Sequence, residues 1–234
     1  MRATRDLLRR RCHLMRKRAE LLAHIHNTTS QYNLPAFDKK LAYKANREGG
    51  EEHFPEPRVR QPIEVEVSLI DPYDQLLGAG ELSITRTAKA HDVQTFSRLQ
   101  SVPGSEQILA LVILYEIQDL TRFPRVQDFV SYCRLVKGAK ESVGKRLGTS
   151  GKKIGNVPLR WAFAEAAVLF LRHTQPGKAY CTKLEHQHGK AKALTVLAHQ
   201  LARAVYYRLT REQAFDLTRF VTASPLRGGT EPAV

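Results

Sequence analysis

The stretch SVPGSEQILALVILYEI, residues 101–117, decides the fold class. From Glu106 to Ile117 it is apolar on every side of a helical wheel, so the helix has no face left for solvent and must lie inside a core. Its first half, Ser101 to Ser105, carries the proline and glycine of a tight turn. Residues 95–100 before it read as a short helix, so the unit is a helix, a hairpin turn and a helix. Outward toward the C-terminus the helices are short and well punctuated. Phe123-Pro124 opens one that runs through Cys133, with proline in the favoured first turn. Asn156 and Pro158 predict a cap and a preorganised first turn for a helix through Arg172. Residues 178–188 and 190–209 predict two more, parted at Gly189, and the Gly-, Ser- and Pro-containing tail beyond Phe220 is expected to fray.

Outward toward the N-terminus the period lengthens. Leu7 and Leu8, Leu14 and Met15, and Leu21 and Leu22 recur every seven residues, and Ile25 extends the stripe. That spacing predicts a helix seeking a partner helix. Arg9, Arg10, Arg11, Arg16, Lys17 and Arg18 cover its other face, as either a solvated surface or a stripe that tracks phosphates. Residues 31–62 hold Gly49-Gly50, Pro55, Pro57 and Pro62 and read as a long connection with one short helix. A second long helix is expected from about Ile63 to Ala90, kinked or broken at Pro72 and weakened at Gly78 and Gly80. The expected architecture is all-α. A helical coiled-coil or dimerisation region occupies residues 1–98, a compact multi-helix domain with a helix-hairpin-helix entry residues 99–220, and a flexible tail residues 221–234.

Composition sets the class of partner. The chain has 234 residues, with 37 Lys and Arg against 23 Asp and Glu, a formal charge of +14. Such a surplus favours a polyanion, nucleic acid before an anionic membrane, because no amphipathic or apolar anchor accompanies it. The longest apolar run, from Ile108 to Tyr115, is far short of the roughly twenty residues that a bilayer needs. No apolar stretch follows the N-terminal arginines, so no secretory signal is read and the expected location is the cytoplasm. Cys12, Cys133 and Cys181 are odd in number and far apart, which fits reduced thiols rather than a disulfide framework.

The basic residues are clustered. Residues 137–160 carry seven basic side chains and one acid. Within them residues 137–156, KGAKESVGKRLGTSGKKIGN, hold five glycines and no apolar period, so they read as a long loop. Glycines let backbone amides approach an anion, and cations supply attraction to phosphate that does not depend on sequence. A solvated loop is the plain alternative, although structureless loops beyond about 12–15 residues usually carry a function. It is not a P-loop, since Arg146 follows Lys145 where Ser or Thr must bind magnesium. Metal ligation elsewhere is poorly supported: His186 and His188 point about 200° apart on a helix, and Cys181 adds no fourth ligand. Tyr206 and Tyr207 are candidates for base stacking or for packing, and Asp119 and Asp128 fit turn and helix-start positions.

The run from Phe123 to Leu135, then Lys140-Glu141-Ser142-Val143-Gly144-Lys145, Gly155-Asn156 and LRWAFAEA over residues 159–166, resembles the C-terminal transposase domain of insertion-sequence family 110, with its related 116, 902 and 1111 groups. The likeness continues through residues 194–208 and back through the helical pair. It implies a DNA recombinase guided by a structured RNA, with an N-terminal RuvC-like domain of four metal-binding acids and a C-terminal serine. Ser142 matches that serine, and its implied role is nucleophilic attack on a DNA phosphate. A hydroxyl needs deprotonation and charge neutralisation for that step. Lys140, Lys145, Arg146, Lys152, Lys153 and Arg160 are the candidates for holding nucleic acid, on charge and position.

Two departures shape the expectation. The four acids, and with them the Mg²⁺ the resemblance implies, have no counterpart in this chain, so no metal or cofactor site is assigned to it. It is expected to be inactive alone and to work with DNA, guide RNA and further copies of itself. The hairpin turn has Glu106 where the family carries glycine, and a carboxylate there repels phosphate. The rival is a non-catalytic nucleic-acid-binding or oligomerising module that modulates a full-length transposase.

Overall fold

The computed structural model describes residues 1–136, 138–142, 145–150 and 154–222, and at residues 138–142, 145–150 and 191 the description stops at the backbone. Its architecture is all-α with one small β-hairpin: α1 (Arg2–Gln31), α2 (Pro57–His91), α3 (Val93–Gln100), α4 (Gln107–Ile117), α5 (Val126–Tyr132), β1 (Gly138–Ser142), β2 (Lys145–Ser150), α6 (Val157–His173), α7 (Gln175–His188), α8 (Lys190–Thr210) and α9 (Leu217–Thr222). The chain divides into two compact units, residues 3–86 and residues 87–234 with the first two residues.

In the first unit α1 and α2 run antiparallel. Polar contacts between them step in opposite directions along the two helices, from the ion pairs Arg11–Glu81 (2.6 Å) and Arg18–Asp74 (2.5 Å) to the His24–Glu66 contact (2.6 Å). Ile63, Ile70, Leu77 and Ile84 recur every seven residues on α2 and are all buried. The core at one end joins Ile25, Leu41, Phe54, Val59, Ile63 and Ile70, with Leu21, Leu22, Leu34, Phe37 and Val67 packed against it. Residues 32–56 are folded onto this core by Arg47, which is 3% exposed. Its guanidinium donates to the Leu41 and Ala42 carbonyls and, at 2.7 and 2.6 Å, to the carboxylates of Asp71 and Asp74. The connection holds two 3₁₀ turns, Lys44–Asn46 and Gly50–His53, in place of the one short helix expected.

Pro72 neither breaks nor ends α2, which begins at Pro57 and runs through both Pro62 and Pro72. An interior proline costs about 3 kcal/mol through a lost hydrogen bond and a ring clash. The four buried aliphatic side chains, each worth about 1.5–3 kcal/mol, outweigh it.

In the second unit Asp92 caps α3, its side chain accepting from Thr95 N at 2.9 Å. α4 is buried along nearly its whole length, as its unbroken apolar wheel requires. It packs on α6, and α8 packs on α5, α6 and α7. Phe123, Phe129, Phe163 and Tyr206 form one aromatic cluster, and Tyr206 donates to the Phe123 carbonyl at 2.8 Å. Tyr206 therefore serves packing. The turn between α3 and α4 needs Gly104, whose φ is +85° and whose absent Cβ would lie 2.5 Å from both Ala166 O and Phe170 N of α6. Any side chain there pushes α6 away.

Residues 138–150 differ from the loop expected. β1 and β2 form an antiparallel hairpin with Gly138 opposite Ser150, Lys140 opposite Gly148, Glu141 opposite Arg146 and Ser142 opposite Lys145, the register shifting between Lys140 and Glu141. Strand pairing here rests on backbone hydrogen bonds, so it leaves no apolar alternation in the sequence to detect.

Candidate nucleic-acid interface

The hairpin leaves from the end of α5 and returns at the start of α6, and both points are pinned. At the first, Leu135 N donates to Val130 O and Arg134 N to Ser131 O, with Arg134 at φ +57°. These bonds make a Schellman-type stop in which an arginine takes the left-handed position that glycine usually fills. The chain must turn out of the helix there. At the second, Asn156 N donates to the Tyr132 carbonyl at 2.7 Å, holding the chain just before α6 against the end of α5. Gly155, at φ +99°, permits the approach, since a Cβ would stand 2.7 Å from Tyr132 O.

Asn156 is the keystone of that seam. Its Oδ1 accepts from Leu159 N at 2.9 Å and caps α6, while its Nδ2 donates to Glu116 Oε2 at 2.7 Å and to Tyr132 Oη at 3.2 Å. Asn156 and Glu116 are 7% and 1% exposed. A polar side chain so deep in an apolar helix needs hydrogen-bond partners. The Arg122 guanidinium lies 5.3 Å over the Tyr132 ring, adding a cation at the same seam. Glu116, Tyr132 and Arg122 were not singled out by the sequence reading. One signal existed for Glu116, the acid enclosed within an otherwise apolar helix.

Five of the sequence candidates fall on or beside this element. Lys140 and Ser142 lie on β1, Lys145 and Arg146 on β2, with Ser142 and Lys145 as cross-strand partners closing the described hairpin. Arg160 is exposed on α6 and forms no ion pair among the described residues. Lys152 and Lys153 lie outside the described residues. Glu106 precedes α4, its carboxylate exposed and 3.6 Å from His173 Nε2.

The nearby thiol is no rival nucleophile. Burial pushes Cys133 far above the ordinary thiol range, so no appreciable thiolate forms near neutral pH. Burial also raises Cys181, with the Glu185 charge adding to it. Asp119 accepts from the Thr121 amide and hydroxyl, and Asp128 pairs with Arg125, so both serve local structure. Among the described residues no three of His, Cys, Asp and Glu converge, so the side chains present do not fit a magnesium centre. No described helix is long and apolar enough to cross a membrane.

Residues 96–182 match the sequence model described as Transposase IS116/IS110/IS902 family. The chain is also 26% identical over 163 residues to the transposase for insertion sequence element IS1111A of Coxiella burnetii (strain RSA 493 / Nine Mile phase I), a match covering 68% of this chain and 44% of that protein. The match thus spans less than half of that relative's length.

Proposed function

We propose, from the match of residues 96–182 to the IS116/IS110/IS902 transposase family model and the likeness to the IS1111A transposase, that the chain handles DNA within an insertion-sequence transposase and that its hairpin presents Ser142 to a scissile phosphodiester. The observation that carries this reading is that the chain on either side of the basic segment is held, at Arg134 and Leu135 by bonds to the last turn of α5 and at Asn156 by the buried cluster with Glu116 and Tyr132. A nucleophile on a flexible loop loses much of the advantage of positioning, and a strand held by its base keeps it. In the step proposed, Ser142 Oγ bonds to phosphorus as a strand P–O bond breaks. The hydroxyl proton passes to solvent and the departing strand oxygen takes one up. The phosphoserine ester keeps the bond energy until another strand's hydroxyl displaces the serine and rejoins the backbone. Lys140, Lys145, Arg146, Lys152, Lys153 and Arg160 hold the phosphates of DNA and of a structured guide RNA, consistent with a formal charge of +14. No step is assigned to a metal on this chain.

A homo-oligomer through the helical hairpin belongs to the same proposal. Val65, Leu69 and Leu76 are 56%, 44% and 57% exposed on α2, outside its buried seam. Light scattering that finds only monomer at working concentrations removes that part.

The nucleophile is tested with the full chain, a full-length relative whose own serine is replaced by alanine, and nicked transposon-end DNA. A covalent protein–DNA adduct on this chain, lost in Ser142→Ala with DNA affinity unchanged, is the expected result. An adduct that persists in Ser142→Ala refutes the assignment. No adduct with the unaltered chain, while DNA still binds, favours the non-catalytic module instead.

A further inference from the structure

We infer that Trp161 is a stacking platform for an unpaired nucleic-acid base, with Arg160 beside it to hold the adjoining phosphate. The inference rests on the nucleic-acid reading above and names a contact within it.

α6 has one face committed to the core: Leu159, Ala162, Phe163, Ala166, Ala167 and Phe170 are all buried. Val157 and Trp161, at i and i+4, share a different face of the helix. They are 50% and 36% exposed, and Ile154, just before the helix, is 75% exposed. A tryptophan can bury about 150–250 Å² of surface, so the part of Trp161 left against water forgoes a share of that gain. Within this unit Phe123, Phe129, Phe163 and Tyr206 all engage other rings, whereas Trp161 makes no ring–ring or cation–ring contact among the described residues. The exposed third of its surface therefore has no ring or cation of the described residues against it.

Charge selects the occupant. Arg160 is exposed and forms no ion pair among the described residues, and the sequence from 137 to 153 that leads into α6 has six basic residues against one acid. A polyanion fits that field and an apolar protein surface does not. An aromatic plane beside a basic track is how single strands are held without regard to sequence, each base offering a π-face and each linkage a phosphate. A base inside a duplex is already stacked on both sides, so the site suits an unpaired one, in a DNA strand opened for exchange or in an RNA loop.

Trp161 is the chain's single tryptophan, so the indole emission reports on this position alone. The full chain is titrated with a single-stranded DNA oligonucleotide, an RNA oligonucleotide and a blunt DNA duplex, reading tryptophan emission together with the anisotropy of a labelled strand. Saturable quenching by a single strand, weaker with the duplex, is expected, and the stronger single-stranded arm identifies the source. Trp161→Ala should weaken single-strand binding roughly five- to a hundredfold, and Trp161→Phe should recover most of it. Because stacking releases no counterions, the salt slope of Trp161→Ala should stay unchanged while that of Arg160→Ala drops by about one unit. Far-UV circular dichroism confirms that the variants are folded. Binding seen by anisotropy with unmoved emission and an unaffected Trp161→Ala overturns the platform and leaves the nucleic-acid reading standing. No binding by anisotropy overturns both. An emission shift that follows protein concentration alone, without nucleic acid, places a second copy on Trp161 and also overturns the inference.

Discussion

Replacing Asn156 by alanine removes two interactions with separable magnitudes. Oδ1 caps α6 at 2.9 Å from Leu159 N, and losing such a cap costs about 0.5–2 kcal/mol. Nδ2 donates to Glu116 at 2.7 Å, and withdrawing a donor from a carboxylate that is 1% exposed costs about 1–3 kcal/mol more. The expected loss is therefore about 1.5–5 kcal/mol, above the cap alone by the worth of the Glu116 bond. Urea denaturation followed by far-UV circular dichroism measures it, provided the m-value is unchanged so that the midpoint shift is a true stability change. Asn156→Ala, Glu116→Leu and the double variant then complete a cycle. The double variant loses the Asn156–Glu116 bond only once, so it should be less damaged than the sum, with a coupling of about 1–3 kcal/mol. Additivity within about 0.5 kcal/mol, or a loss in Asn156→Ala no larger than a cap, refutes the claim that this pair locks the hairpin's base. Either result also removes the observation on which the placement of Ser142 depends.

Two further outcomes follow from other positions. Gly104→Ala combines a left-handed backbone with a Cβ 2.5 Å from Ala166 O and Phe170 N, and should cost at least about 2 kcal/mol in thermal or urea unfolding; a change of a few tenths disproves the close approach of turn and helix. Burial works to raise the Asp74 carboxyl, but hydrogen bonds from Arg18 and Arg47 and their charges outweigh it and hold the carboxyl below its ordinary 3.8. A carboxyl lowered on folding adds stability that is complete above the unfolded value and lost as pH falls through the folded one. The melting temperature of the unaltered chain should therefore drop toward that of Asp74→Asn as pH is taken from 6 to below about 3.8, and a constant gap between the two across that range refutes the link.

Much of the second unit was legible because its signals are local. Asn156 and Pro158 mark the start of α6, Gly189 parts α7 from α8, and the apolar wheel of residues 106–117 places α4 in the core. What stayed hidden has a physical cause in each case. Pro72 is a local signal for a break, overruled by a seam of buried aliphatics whose partners lie far along the chain. Residues 136–156 hold five glycines and many lysines, and the pairing of the hairpin within them is written in backbone groups that every residue carries. Arg47 sits in a segment that looks like a connection, and only the folded hairpin of helices reveals that two aspartates a turn apart on α2 wait for it.

The candidate site shows how these two kinds of information combine. Charge clustering pointed to residues 137–160 as a phosphate-handling segment, and resemblance to a family selected Ser142 within it. Neither says what holds the chain on either side of a lysine- and glycine-rich segment that has no apolar period of its own. The answer lies outside the segment, in a buried acid on α4, an amide at the cap of α6 and a carbonyl at the end of α5. Each of those groups does ordinary structural duty, capping a helix or satisfying a buried polar atom, and together they hold the chain at Asn156 against the end of α5. If that is the design, substitutions at Asn156 should impair strand exchange more than DNA affinity, because they loosen the hairpin without removing a cation. A variant that loses affinity in the same proportion as exchange would instead make the base of the hairpin a part of the binding surface.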